Sequence, residues 1–313
     1  MYKIGVDLGG TNIAAGIVDK DYNIIAKGSV PTKASRPAKE IIADMAELCK
    51  KLCADAKIKI SEIESIGVAS PGIVDNDSGK VLYANNIGFK DFPLASILRE
   101  LTGVQNIKMA NDANAAALGE AVAGAAKGTK HSVMITLGTG VGGGVIIDGK
   151  VFSGSNGAGP ELGHIVIEHN GVPCSCGRCG CWESYSSATA LVRMTKEAIE
   201  AAKAAGRYTS MANAEKISGR TACDAMRAGD AVAKEVYDKY ISYLANGITS
   251  IVNVFQPEVI SLGGGISNEG QSLIDDIKPL ITEEQYGGDV VKTAEIRIAK
   301  LKNDAGIIGA AAL

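Results

Sequence analysis

Two stretches of this chain repeat one pattern. Residues 2–18, YKIGVDLGGTNIAAGIV, run from an apolar strand into Gly9–Gly10–Thr11 and leave through a second apolar strand. Residues 132–149, SVMITLGTGVGGGVIIDG, do the same around Gly138–Thr139–Gly140. Each reads as a hairpin with glycine at the turn. The same unit recurring about 130 residues later points to an internal duplication, which restricts the fold to two like halves. A glycine-rich turn presents backbone N–H groups with no side chain over them, which suits phosphate oxygens. Asp7 stands just before the first turn, where a carboxylate can hold a divalent ion directly or through water. For LGGT alone, a plain hairpin turn is an equally good explanation, since short glycine patterns are common.

Between the hairpins lie ordinary α/β elements. Ile41, Ile42, Met45, Leu48 and Leu52 recur near a 3.6 period and predict an amphipathic helix over 37–57. ESIGVA at 64–69 predicts a buried strand, ended by the turn Ser70–Pro71–Gly72. A strand over 104–110 runs into Asn111–Asp112, and the Ala-rich ANAAALGEAVAG after it predicts a helix. Asp112 thus stands between a strand and a helix N-terminus, where open α/β sheets bind ligands. Position alone favours a capping role for it. Residues 184–204 and 230–256 predict long helices, and 205–229 short helices and turns. A third glycine turn, SLGGGIS at 261–267, precedes a helix over 270–281 capped by Asn268 or Ser267. The small apolar tail AGIIGAAAL predicts a last packed helix. No Pro/Ser-rich linker marks a boundary, and the expected hinge lies near 112–120.

The densest chemistry lies at 161–183, ELGHIVIEHNGVPCSCGRCGCWE. Cys174, Cys176, Cys179 and Cys181 are crowded together, with His164 upstream. Thiolate and imidazole are the ligands zinc prefers, and four of them close a tetrahedral structural site. Spacing allows two sets: His164 with Cys174, Cys176 and Cys181, or the four cysteines alone. A polar loop this short lacks the apolar residues to hold its own shape, and a metal supplies that folding energy. A disulfide knot belongs to oxidising compartments, and MYKIGVDLGG has no secretory pattern. Glu161 and Glu183 bracket the cluster, so a metal that holds the loop also aims them. Cys49 and Cys53, four apart, predict one buried helix face.

Composition narrows the classes. At 313 residues with 46% hydrophobic content, about two domains with sizeable cores are expected. A net charge of −3 without a basic block argues against nucleic acid. No apolar run reaches the ~20 residues that cross a bilayer, so a cytoplasmic protein is expected. Two glycine hairpins can grip one polyphosphate. An aspartate can accept a hydroxyl proton, and a metal-held loop with two glutamates can hold a polyhydroxylated substrate. Together they point to phosphoryl transfer from a nucleotide to a sugar.

DLGGTN (7–12), ANDANAAALGE (110–120), TLGTGVGGG (136–144), ELGH (161–164), CSCGRCGCWE (174–183) and LGGGIS (262–267) resemble the motif series of the ROK sugar kinases, in order and over nearly the whole chain. WESYSSATALVR (182–193) resembles the glucokinase branch. The resemblance implies a two-domain actin-like/hexokinase-type ATPase fold, with duplicated ribonuclease H-like domains around a cleft. A small domain would comprise 1–113 plus 299–313, and a large one, with the zinc loop, 114–298. The implied activity is ATP-dependent phosphorylation of the 6-hydroxyl of glucose. The alternatives are N-acetylmannosamine, N-acetylglucosamine, fructose or mannose. By the same resemblance Asp112 is the general base. Asn111, Glu161, His164 and Glu183 hold sugar hydroxyls, helped by Asn86 and Gly72. The zinc ligands fall on His164, Cys174, Cys176 and Cys181. Gly9, Gly10, Thr11 and Asn12 cradle phosphates with Gly138, Thr139 and Gly140. Gly263, Gly264 and Gly265 lie at the adenosine, Asp7 faces magnesium, and the assembly is a homodimer or homotetramer.

Three positions depart from the pattern. Cys179 is an extra thiol, Pro160 stands where much of the family has Gly, and Trp182 replaces an aliphatic residue and reads as packing. Repressors of the same family carry a helix-turn-helix ahead of the kinase-like body. Here the sequence opens on the first strand, which favours a kinase over a sugar-sensing regulator.

Overall fold

The computed structural model describes residues 2–313. β1 (Tyr2–Leu8) and β2 (Asn12–Val18) form the expected first hairpin, and β3 (Ile24–Pro31) extends it. α1 (Ala38–Asp55), β4 (Ile63–Ser70), the short strands β5 (Ile73–Asp75), β6 (Lys80–Ala84) and β7 (Phe89–Phe92), α2 (Leu94–Thr102), β8 (Ile107–Asn111) and α3 (Asp112–Val122) follow. The second hairpin, β9 (Ser132–Leu137) and β10 (Val141–Ile147), is extended by β11 (Lys150–Phe152). Then come α4 (Glu183–Ser186), α5 (Ala188–Ala204), α6 (Thr221–Arg227), α7 (Ala231–Phe255), β12 (Val259–Gly263), α8 (Gln271–Glu284), β13 (Glu295–Ile298) and α9 (Ala305–Ala312). Among the described residues no helix is long and apolar enough to cross a membrane.

The duplication extends beyond the hairpins. One five-stranded sheet has the order β3-β2-β1-β4-β8 and the other β11-β10-β9-β12-β13, the same permutation position by position. A third sheet, β5-β6-β7, is inserted after β4 and has no counterpart among the described residues of the second half.

Contacts divide the chain into two compact units. One comprises Met1–Met134, Gly143–Pro160 and Ala299–Leu313, the other Ile135–Gly142 and Glu161–Ile298. The chain returns to the first unit at Ala299. The boundary expected at 113/114 falls inside the first unit, because α3 packs along α9 and against β11.

In the first unit, α1 turns Ile41, Ile42, Met45, Leu48 and Leu52 into the core, together with Cys49 and Cys53. Each fully buried aliphatic side chain contributes about 1.5–3 kcal/mol. Burial pushes the Cys49 thiol up to about 12, so it stays protonated as a small hydrophobe. α9 approaches the sheet at backbone distance. A Cβ on Gly67 would overlap the Ala310 carbonyl, and one on Gly309 the Ala115 carbonyl. The small residues of the tail permit that contact.

The second unit packs α5, α6 and α8 around α7, whose apolar side includes Val236, Tyr240, Leu244, Ile248 and Ile251. Two helix boundaries differ from expectation. The stretch 184–204 breaks at Ser187, whose side chain accepts the Ala190 N–H and caps α5. Asn268 and Ser267 do not cap α8. They lie in a 3-10 turn, Ile266–Glu269, where the Ser267 hydroxyl donates to the Gly264 carbonyl at 2.7 Å.

Candidate functional site

In the first unit β4 runs parallel to both β1 and β8, which aligns their C-terminal ends. Asp7 pairs with Ala69 in the register, and Ser70 with Asn111. The turn after β1 is tied down by the Gly9 N–H, which donates to the Asn12 carbonyl at 2.9 Å. The Thr32 hydroxyl donates to the Gly9 carbonyl at 2.6 Å, and the Thr32 N–H to the Thr11 carbonyl at 2.8 Å. Asn86, in the short turn Asn85–Ile87, lies beside Gly10. Gly72 has φ +83°, and its carbonyl accepts the Asn111 Nδ2–H at 3.0 Å. One end of the first sheet therefore carries Asp7, Gly9, Gly10, Thr11, Asn12, Gly72, Asn86, Asn111 and Asp112.

Asn111, not Asp112, caps α3. Its Oδ1 accepts the N–H of Ala113 at 3.0 Å and of Asn114 at 3.3 Å. Asp112 becomes the first helical residue, and its exposed carboxylate sits where the helix N-terminus favours negative charge. Desolvation by the surrounding chain raises its carboxyl, and the N–H groups of Ala113 and of Asp112 itself oppose that. Asp7 is pushed up to about 6, first by burial and then by the charge of Asp112. A divalent cation at Asp7 would relieve both effects.

In the second unit a short lattice of backbone bonds folds 161–183. Cys174 N–H donates to the Arg178 carbonyl at 2.8 Å, Gly180 N–H to Val172 at 2.8 Å, and Trp182 N–H to Ile165 at 2.8 Å. Gly177 and Gly180 have φ of +88° and +82°, which only glycine adopts without strain. Nδ1 of His164 lies 3.6 Å from Cys174 Sγ, and Cys176 Sγ lies 3.6 Å from Cys181 Sγ. The four ligand atoms of His164, Cys174, Cys176 and Cys181 all lie within 4.8 Å of one another. Tetrahedral zinc, with bonds of about 2.0–2.3 Å, separates its ligands by roughly 3.5–3.8 Å, so the set fits. Cys179 is exposed and outside the group. Burial opposes ionisation of Cys174. Hydrogen bonds from the Cys176 N–H, the Cys176 and Cys181 thiols and Ser184 outweigh it and bring the group to about 7. Cys181, buried beside two other thiols, is pushed up to about 12.

Val141 links the cluster to the glutamates. Oε2 of Glu183 accepts its N–H at 3.0 Å, and Gly163, of the turn Leu162–His164, packs against its carbonyl. Glu161 stands at the start of that turn, and its carbonyl accepts the His164 N–H at 3.0 Å. The Gly138–Thr139–Gly140 turn is closed by the Gly138 N–H, which donates to the Gly140 carbonyl at 3.0 Å. Gly263 ends β12, Gly264 and Gly265 follow it, and Gly264 abuts Leu137 at the end of β9. Trp182 is fully buried, its indole N–H donating to the Tyr243 carbonyl at 3.0 Å, and it packs on Gly247 as expected of a core residue.

Sequence reasoning missed the side chains that hold these parts. Thr32 anchors the first turn and Asn76 accepts the Met109 N–H at 2.9 Å. Glu120 is fully buried and accepts N–H groups from Ala125, Lys300 and Leu301 at 2.6, 3.1 and 2.7 Å. A carboxylate in an otherwise Ala-rich helix was the available signal for Glu120.

The ROK family model matches residues 3–313. The chain is 39% identical to the glucokinase of Halalkalibacterium halodurans over 98% of this chain and 93% of that protein. It is 36% identical to the glucokinase of Thermotoga maritima over 99% and 96% of the two chains. Among solved structures it resembles a ROK family glucokinase from Streptomyces griseus in complex with glucose and AMPPNP. The TM-score is 0.78 at 33% identity, over 100% of this chain and 98% of that one. The likeness extends over the duplicated sheets, and the fold is the two-domain actin-like ATPase fold. With a match from end to end at the levels of motif, sequence and fold, the chain belongs to the ROK family.

Proposed function

We propose that the protein is an ATP-dependent glucokinase that transfers the γ-phosphoryl group to the 6-hydroxyl of glucose. The observation that carries this reading is the division of labour at the start of α3. Asn111 caps the helix, and the Asp112 carboxylate, one oxygen of which also accepts the Ala113 N–H at 2.8 Å, keeps its other oxygen for a substrate hydroxyl. Asp112 accepts the hydroxyl proton as the new P–O bond forms, and its raised pKa makes it a better base than an ordinary aspartate. Phosphoryl transfer asks for little else from the protein than positioning and charge stabilisation.

The remaining roles follow. Asn111, Gly72, Asn86, Glu161, His164 and Glu183 hold sugar hydroxyls. Gly9 to Asn12 and Gly138 to Gly140 offer N–H groups and hydroxyls to phosphate oxygens, and Gly263 to Gly265 leave room for the adenosine. Asp7 would hold magnesium, which neutralises phosphate charge. His164, Cys174, Cys176 and Cys181 would hold zinc, which supplies folding energy to the loop and no chemical step. With Nδ1 of His164 facing the thiols, its Nε2 is left for a sugar hydroxyl. The resemblance also supports a cytoplasmic homodimer or homotetramer, which light scattering measures.

The test is a coupled assay of ADP release with ATP and magnesium across hexoses and N-acetylhexosamines. Turnover led by glucose is expected. Turnover led by an N-acetyl sugar would keep the mechanism and overturn the substrate. No turnover with any sugar would favour a sugar-binding regulator.

A further inference from the structure

Asn114 is the third residue of α3, and its N–H donates to the Asn111 cap. Its side chain is 2% exposed, and Nδ2–H donates to the Gly159 carbonyl at 3.0 Å. Oδ1 has no hydrogen-bond partner among the described residues, so the Gly159 bond alone sets the orientation of the amide. An interior amide in an Ala-rich helix is disfavoured unless its hydrogen bond has a use. Gly159 lies in the loop after β11 and donates its own N–H to the Ser153 carbonyl at 3.1 Å, which closes the segment 153–159. That loop touches the β5 backbone at Gly157, too closely for a Cβ. Beside it opens a cavity of about 700 Å³ lined by Asp75, Lys108, Asn111, Asn114, Ser155 and Asn156. The Ser153 bond and the close pass over Val74 hold the loop, and the Asn114 amide ties it to α3.

We infer that Asn114 is a positioning residue for phosphoryl transfer: its amide locks the first turn of α3, and with it the Asp112 carboxylate, to the Gly159 carbonyl. The inference rests on the reading of Asp112 as the base. The first turn is the least restrained part of a helix, because its N–H groups have no partners within the helix. A hydrogen bond from the third residue to a carbonyl outside the helix sets the rotation of that turn. Displacing a reacting group by 1 Å costs about a hundredfold in rate.

Asn114→Asp keeps the shape and removes the donor, and Asn114→Ala removes both. Each is compared with the wild type for kcat and for both KM values, at a temperature where thermal unfolding shows it folded. The expected result is a kcat lower by about tenfold or more, with each KM within about threefold. The kcat of Asn114→Asp relative to Asn114→Ala should rise as the pH is lowered, because the protonated acid donates to Gly159 again. A kcat within about twofold of wild type in both folded variants overturns the inference, whatever the melting temperature does. Should neither fold, Asn114→Ser, too short to reach Gly159, takes their place. Hydrogen exchange supplies a readout independent of activity. Amides of 112–115 and 153–159 should exchange faster in the variant, and unchanged exchange overturns the tie. A wild-type protein that phosphorylates no sugar would sink the proposed function, and the exchange measurement would still decide the tie.

Discussion

Oε1 of Glu183 lies 3.9 Å from Sγ of Cys174. A residue read as a sugar ligand thus touches a residue read as a metal ligand, while its other oxygen is held by the Val141 N–H at 3.0 Å. The His–Cys cluster and the Gly138–Gly140 turn meet on one carboxylate. Glu183→Gln should raise the KM for glucose by about tenfold or more, or about 1.4 kcal/mol, and the KM for ATP far less. Equal rises in both, with a lower melting temperature, would assign Glu183 to folding alone.

Asp112→Asn removes the carboxylate and keeps the shape. Turnover should fall by about 10²–10⁴ while glucose affinity, measured by calorimetry, stays within a few fold. Substantial residual turnover would take Asp112 out of the base role.

The ligand set can be counted. Purified protein should hold one zinc per chain by elemental analysis. Cys179→Ser should keep it, and Cys176→Ser should lose it, because Cys179 lies outside the cluster. Chelation should release the metal and accelerate hydrogen exchange over 161–183. Zinc lost from Cys179→Ser would reinstate the set of four cysteines.

Asp7 makes stability depend on pH. Its folded pKa of about 6 exceeds the ordinary 3.8, so protonation favours the native state. That contribution is complete below the ordinary value and is lost as pH rises through about 6. Above that, the buried charge costs about 3 kcal/mol. Asp7→Asn should melt a few degrees higher than wild type near pH 8 without divalent ions, and the gap should close toward pH 4. Magnesium should raise the wild-type melting temperature more than the variant's. A gap independent of pH would show that the Asp7 charge is not what separates them.

Glu120 secures the return of the chain into the first unit. Its carboxylate accepts three backbone N–H groups, two of them from Lys300 and Leu301. In Glu120→Gln an NH2 group must face at least one of these donors. A loss of about 2–4 kcal/mol is expected in denaturant unfolding. A loss below about 1 kcal/mol would show that the neighbourhood relaxes at little cost.

Much of this protein was legible in the residue order, because the signals concerned are local. The 3.6 period of Ile41, Met45, Leu48 and Leu52 determined α1, and the glycine turns determined both hairpins. The matching hairpins also determined that the chain is two related halves. Other matters were settled only by packing, which brings together residues whose separation along the chain carries no geometric information. Local spacing made Cys179 as good a ligand as His164, and only the folded loop puts His164 inside the cluster and Cys179 outside. Local spacing made Asp112 the natural cap, yet Asn111 takes that role with its side chain also bonded to Gly72, 39 residues earlier. Glu120 and Asn114 look like unremarkable members of a helix until their partners arrive from positions 300 and 159. A buried polar group is stable only where its partner is, and that partner is fixed by the tertiary fold.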